Sequence, residues 1–123
     1  MGSERLTRRD RLRQRQDFLR CYRNGRRRTR PLLMLYSLAN TLGHPRLGIT
    51  ASRKVGPAVV RNRAKRRVRD IFRRFPGREA LPAADLVVHL QPAAGAAEFD
   101  ALAQQLTELL DHLCRDSVAS GRA

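Results

Sequence analysis

Residues 54–75 read K-V-G-P-A-V-V-R-N-R-A-K-R-R-V-R-D-I-F-R-R-F, and the way this run divides into faces decides the fold. At about 100° per residue, Val60, Ala64, Val68, Ile71, Phe72 and Phe75 share one arc of a helical wheel, while Asn62, Arg66, Arg69 and Arg73 cluster opposite. The spacing predicts an amphipathic helix with one face for a core and one for phosphate. Gly56 suits a cap, Pro57 has its φ preset for a first helical turn, and Pro76-Gly77 stops the helix. Arg63 and Arg74 on one flank, with Lys65 on the other, add more cations than a merely solvated face needs.

Working outward, Leu47 to Ser52 alternates apolar and small residues and leads straight into Arg53-Lys54 and the helix, as a strand would. Leu32 to Leu38 is a short apolar run expected to be a buried strand, with Leu47–Ser52 as its antiparallel partner across the turn at 41–45. Residues 25–30 are a basic connector or short edge strand. Phe18, Cys21 and Tyr22 fall at i, i+3, i+4, which predicts a short helix from Arg15 to Arg23 stopped by Asn24-Gly25. Downstream, Asp85 to Leu90 reads as a further buried strand bounded by Pro82 and Pro92. The stripe Phe99, Leu102, Ala103, Leu106, Leu109, Leu110 and Leu113 marks a last helix packed on the sheet, with a dimer face as the alternative. The class is therefore α+β, with helices against one mainly antiparallel sheet. The expected organisation is a basic mobile arm over 1–14, one domain over 15–115 and a frayed, disordered tail over 116–123.

Charge is distributed unevenly along the 123 residues. Residues 1–78 hold 24 bases and 4 acids, and residues 79–123 hold 2 bases and 7 acids. Such a field favours a polyanion and salt-sensitive association, with nucleic acid ahead of an anionic membrane. No apolar stretch approaches the roughly 20 residues that span a bilayer, and a cytoplasmic location is expected. Only Lys54 and Lys65 among the 26 bases are lysines. Arginine offers planar, bidentate contacts that lysine cannot, and genome composition would give the same bias. Cys21 and Cys114 lie far apart without metal-ligand spacing, and His44, His89 and His112 are isolated, so no metal site or acid-base constellation is expected.

The order R-N-R-A-K-R-R-V-R, preceded by S-R-K-V-G-P-A-V-V and followed by I-F-R, resembles the signature of the protein subunit of bacterial ribonuclease P. The likeness extends to D-F-L-R-C-Y-R-N-G, L-M-L-Y, R-L-G-I-T-A-S-R-K and D-L-V-V, covering about residues 11 to 90. The resemblance implies an αβββαβα sandwich akin to the ribosomal protein S5 domain 2-like fold, with the basic helix in a left-handed crossover. It further implies a protein cofactor to a ribozyme that removes the 5′ leader of precursor tRNA. The RNA performs the hydrolysis with bound Mg2+, no cofactor is held by protein side chains, and one protein serves each RNA. By the same resemblance, Arg53, Lys54, Arg61, Asn62, Arg63, Lys65, Arg66 and Arg69 would contact the catalytic RNA. Phe18, Tyr22 and Tyr36 would line a cleft for the single-stranded leader. From the residues alone, Asn62 has the alternative of satisfying nearby backbone and Phe18 that of filling the core.

Three other functions fit parts of the pattern. A ribosomal RNA-binding protein needs the basic face but no cleft. A nuclease in its own right needs paired carboxylates, and Asp70 stands alone among arginines. A DNA-binding helix lacks any sign of half-site spacing.

Overall fold

The computed structural model describes the backbone of residues 6–121 and the side chains as far as Asp116. The elements are α1 (Arg15–Asn24), β1 (Arg26–Thr29), β2 (Leu33–Ala39), β3 (Arg46–Ala51), α2 (Ala58–Arg74), β4 (Ala84–Leu90) and α3 (Phe99–Gly121). This is the expected αβββαβα order. None of the helices is long and apolar enough to cross a membrane among the described residues.

The sheet runs β1-β2-β4-β3. β1 and β4 flank β2 antiparallel, and β3 pairs with β4 in parallel. The expected antiparallel pairing of β3 with β2 is therefore corrected, because β4 lies between them. The reason is burial: Leu86, Val87 and Val88 are each 0% exposed. A strand apolar on both faces belongs in the middle of a sheet, whereas β3, with its small and polar alternates, can occupy an edge. Parallel neighbours need a crossover connection, and α2 lies within it.

Alternation along the strands produces two unequal layers. Leu33, Leu35, Leu86, Val88 and Leu90 meet Ala64, Val68, Ile71 and Phe72 of α2 and the buried leucines of α3. On the other face Leu12, Cys21 and Val87 are buried, with Phe18, Tyr22, Tyr36 and Leu38 packed partly buried around them. Among the described residues a single short helix, α1, covers that face, so part of the sheet stays open. Phe99, expected in the α3 stripe, is instead 37% exposed.

The start of α2 is built tightly. Ser52 Oγ accepts from the Lys54 amide at 3.1 Å in a short 3-10 turn. Gly56 then takes φ 149°, where a Cβ would lie 3.0 Å from Val60. Pro57 occupies the cap just ahead of Ala58 rather than the first turn.

Both ends of the chain differ from expectation. Residues 1–5 and 122–123 lie outside the described residues, but from Leu6 onward the expected mobile arm is docked. Leu6, 8% exposed, joins the larger core and Leu12, 6% exposed, joins the smaller one. Between them Arg11 bridges Leu47 on the edge of β3, the Leu12 amide donates to the Leu47 carbonyl at 2.9 Å, and Asp10 pairs with Arg78 at 3.6 Å. The two leucines thus clamp the arm over the sheet edge. At the other end α3 continues to Gly121, through much of the expected tail, and Arg28 Nη2 on β1 holds Asp116 at 2.6 Å.

The one buried charge among the described residues is an anchor for α1. Asp85, 3% exposed, accepts from Arg46 Nε at 2.9 Å and Nη2 at 2.8 Å and from Asn40 Nδ2 at 2.9 Å. Arg46 also reaches Asp17 of α1 at 3.7 Å. Burial alone would raise the Asp85 pKa, but the hydrogen bonds from Arg46 and Asn40 prevail and hold it below its ordinary value. A depressed carboxyl contributes stability that is complete above its unfolded pKa, about 3.9, and is lost as pH falls through the lower folded value. Urea unfolding of Asp85→Ala is expected to show a loss of about 3–5 kcal/mol at neutral pH, from stranding Arg46, and a flatter acid limb than the parent.

Candidate nucleic-acid interface

The structure sorts the cations of α2 by what they touch. Arg67 donates to the Ala97 carbonyl at 3.2 Å and fastens the loop before α3. Arg73 and Arg74 both pair with Asp70, the latter at 3.1 Å. Arg61, Arg63, Lys65, Arg66 and Arg69 make no ion pair or side-chain hydrogen bond among the described residues. Their positions follow from the helix: Ala64, Val68, Ile71 and Phe72 face the sheet, and these cations fall on the flanks and the far side. Asn62 is exposed and its side chain makes no hydrogen bond among the described residues, so its amide is not serving the local backbone. Arg53 and Lys54 are exposed on the 3-10 turn leading into α2.

Like charges crowd Arg69. Burial first, then the neighbouring charges of Arg11 and Arg66, lower its pKa from the ordinary value. The group stays protonated, so the strain is relieved by bringing in anions rather than by losing a proton. A hollow of about 340 Å³ opens here, lined by Leu6, Arg11, Arg66, Arg69, Asp70 and Arg73.

The aromatic residues lie around the corner, on the open face of the sheet. The Phe18 ring rests on the backbone of β3: a Cβ on Gly48 would lie 2.5 Å and 2.6 Å from its Cε1 and Cζ. Tyr22, one turn further along α1, meets Tyr36 of β2 edge to face, with ring centroids 4.8 Å apart and planes at 87°. All three rings are half-buried, so Phe18 is neither wholly core nor wholly exposed. Tyr22 Oη lies 2.6 Å from Thr50 Oγ1. Burial, outweighing that hydrogen bond, raises the Tyr22 pKa and keeps the phenol neutral.

The two groups meet at a second hollow of about 280 Å³, whose wall includes Arg11, Arg13, Phe18, Gly48, Lys65 and Arg69. Sequence reasoning missed several of these residues. Arg11 and Arg13 belong to the arm, and only the spacing of Leu6 and Leu12 hinted that it docks. Gly48 is the seat that lets Phe18 lie against a strand. His89 is not isolated: its Nδ1 is 2.8 Å from Thr50 Oγ1, and the alternation of β4 had already put it on the face of Asp85 and Val87. Cys21, wholly buried on the sheet-facing side of α1, has its thiol pushed up to about 11, first by burial and then by Asp85 and Asp17. It is a core residue.

Comparison with known proteins gives a consistent result. The sequence model of the ribonuclease P family matches residues 6–114. The ribonuclease P protein component of Streptomyces avermitilis is 39% identical over 115 residues, covering 85% of this chain and 91% of that protein. That of Brucella suis is 36% identical over 106 residues, covering 79% and 74%. Among solved structures, the RNase P protein from Thermotoga maritima superposes with TM-score 0.74 at 34% identity, covering 83% of this chain and 96% of that one. The Staphylococcus aureus RNase P protein gives 0.70 at 28% identity, covering 88% and 94%.

Two outcomes are expected from this geometry. Arg66→Ala with Arg69→Ala should reduce the log–log salt slope of binding to a structured RNA by about 1.4–1.8, at roughly 0.7–0.9 per phosphate contact. Filter binding across a salt series reads this directly. Gly48→Ala should push the Phe18 ring off its seat while the fold loses only about 1–2 kcal/mol, because the atoms it meets first are the far end of a side chain. Loss of one stack should weaken binding of an unstructured RNA strand at least fivefold, from about 1–3 kcal/mol per base.

Proposed function

We propose, from the premise that this chain belongs to the family of bacterial ribonuclease P protein components, that it holds the catalytic RNA on α2 and the 5′ leader of precursor tRNA in the aromatic cleft. Membership carries a role in the ribonuclease P holoenzyme and in 5′ processing of tRNA. The finer assignment is supported above all by one observation: Lys65 and Arg69 of α2 and the Phe18 ring of the cleft share the wall of a single hollow. One face can therefore sit on a folded RNA while the next holds a strand leaving it.

On this reading Arg61, Arg63, Lys65, Arg66 and Arg69 grip phosphate oxygens, Asn62 bridges phosphate and base, and Arg53 and Lys54 extend the same surface past the start of α2. Phe18, Tyr22 and Tyr36 stack leader bases without demanding a sequence, as substrates with many different leaders require. The chemistry belongs to the RNA and its bound Mg2+. The acids beside the cationic face are engaged otherwise, Asp70 by Arg73 and Arg74 and Asp10 by Thr7 and Arg78. The protein's contribution is to screen two polyanions from each other and to favour precursor over mature tRNA. One copy per RNA suffices, since α1, α2 and the sheet of a single chain form both surfaces.

The deciding experiment is cleavage of precursor tRNA by a bacterial ribonuclease P RNA at low Mg2+, with and without the protein. Strong stimulation is expected from the pair, with no cleavage by the protein alone. Changing Phe18, Tyr22 and Tyr36 together to Ala should then erase the preference for precursor over mature tRNA while binding to the catalytic RNA persists. Tight RNA binding without stimulation would favour a purely structural RNA-binding protein instead.

A further inference from the structure

The cleft contains a polar line that neither phosphate binding nor stacking uses. Tyr22 Oη is 2.6 Å from Thr50 Oγ1, and Thr50 Oγ1 is 2.8 Å from His89 Nδ1. The three groups come from α1, β3 and β4, so the line ties the helix on this face to two strands of the sheet. Thr50 and His89 are directly opposed partners in the parallel ladder, which fixes their side chains next to each other. One run of donors satisfies every group: Tyr22 donates to Thr50, Thr50 donates to Nδ1, and His89 keeps its own proton on Nε2. Burial lowers the His89 pKa and so favours the neutral ring that accepts at Nδ1.

The geometric result is an orientation. The Tyr22 ring stands at 87° to Tyr36 and at 85° to His89, with centroids 4.8 Å and 6.5 Å away. Two adjacent tyrosines favour either an edge-to-face pair or an offset stack, and the stack would cover the ring faces that a base must reach. A hydroxyl held from the floor of the sheet prevents this. It also means the ring is ordered before substrate arrives, so that cost is not taken from binding.

We propose that Thr50 and His89 are positioning residues of the leader cleft: by holding the Tyr22 hydroxyl they keep its ring at right angles to Tyr36 and leave stacking surface open to a base. This rests on the assignment of the cleft to the leader and names what sets its geometry. Neither residue need touch the leader. Of the three cleft aromatics, Tyr22 then serves as a fixed wall with its polar tip already occupied, which separates its role from that of Tyr36.

The test uses holoenzyme reconstituted from a bacterial ribonuclease P RNA and the full-length protein, acting on one precursor tRNA with either a long or a single-nucleotide leader. The readout is the ratio of the two KM values, with kcat recorded alongside. Thr50→Val, which keeps the shape and removes the hydroxyl, should raise the long-leader KM relative to the short-leader one about fivefold, the size expected for one net hydrogen bond. Thr50→Ser should restore the ratio. Tyr22→Phe breaks the same line from its other end, so it should match Thr50→Val, and the double variant should be no worse than either single one. His89→Phe should fall in the same range. A parental ratio in Thr50→Val, or penalties of Thr50→Val and Tyr22→Phe that add in full, would overturn the proposal if Tyr22→Ala still raised the ratio, and the cleft assignment would survive. An unchanged ratio in Tyr22→Ala as well would remove the cleft assignment and this proposal with it.

Discussion

Two parallel neighbours in a sheet cannot be joined by a tight turn, and the pairing of β3 with β4 imposes that rule on this chain. The segment between them must leave the sheet, cross and return, and α2 makes the crossing. To do so it lays Ala64, Val68, Ile71 and Phe72 on the sheet, and its remaining surface has nowhere to go but outward. β4, enclosed between β2 and β3, sends alternate residues to the opposite side, where Asp85 anchors α1 through Arg46 and His89 meets Thr50. The cationic helix and the aromatic cleft are thus two sides of one strand pair, and their adjacency follows from topology.

Which cations remain available is decided by a shortage of acids. The chain has 26 bases and 11 acids, and six of those acids pair with bases within the fold. Asp10 meets Arg78, Asp17 and Asp85 meet Arg46, Glu108 meets Arg30, and Asp116 meets Arg28. On α2, Asp70 takes Arg73 and Arg74 and leaves the stretch from Arg61 to Arg69 without a counterion among the described residues. The free protein therefore holds repulsion along one helix face, seen at Arg69, which a phosphate backbone relieves.

Much of this was legible from local pattern. The two faces of α2, the burial of β4 and the leucine stripe of α3 are periodicities, and they survive tertiary context because each describes one element against a core. The order of strands was not legible, since β3 beside β2 and β3 beside β4 satisfy the same alternation. Docking of residues 6–14 rests on two leucines placed on opposite sides of a sheet edge, a relation with no sequence period. The site divided similarly. The basic motif and the three aromatics stand in the sequence as a resemblance, and the structure collects them. That Arg67 belongs to the fold, and that His89 belongs beside Tyr22, depends on neighbours 30 residues away for one and on a ladder partner 39 residues away for the other.

The edges of the sheet bear on how the protein behaves before any RNA arrives. An exposed strand edge is a template on which a second copy can add. Here the β3 edge is occupied over Leu47 by the chain's own arm. The β1 edge carries Arg26, Arg27 and Arg28 in succession, so two such edges brought together would set guanidinium against guanidinium. The same cationic excess thereby opposes edge-to-edge pairing of two copies, and the arm on β3 opposes it at the other edge.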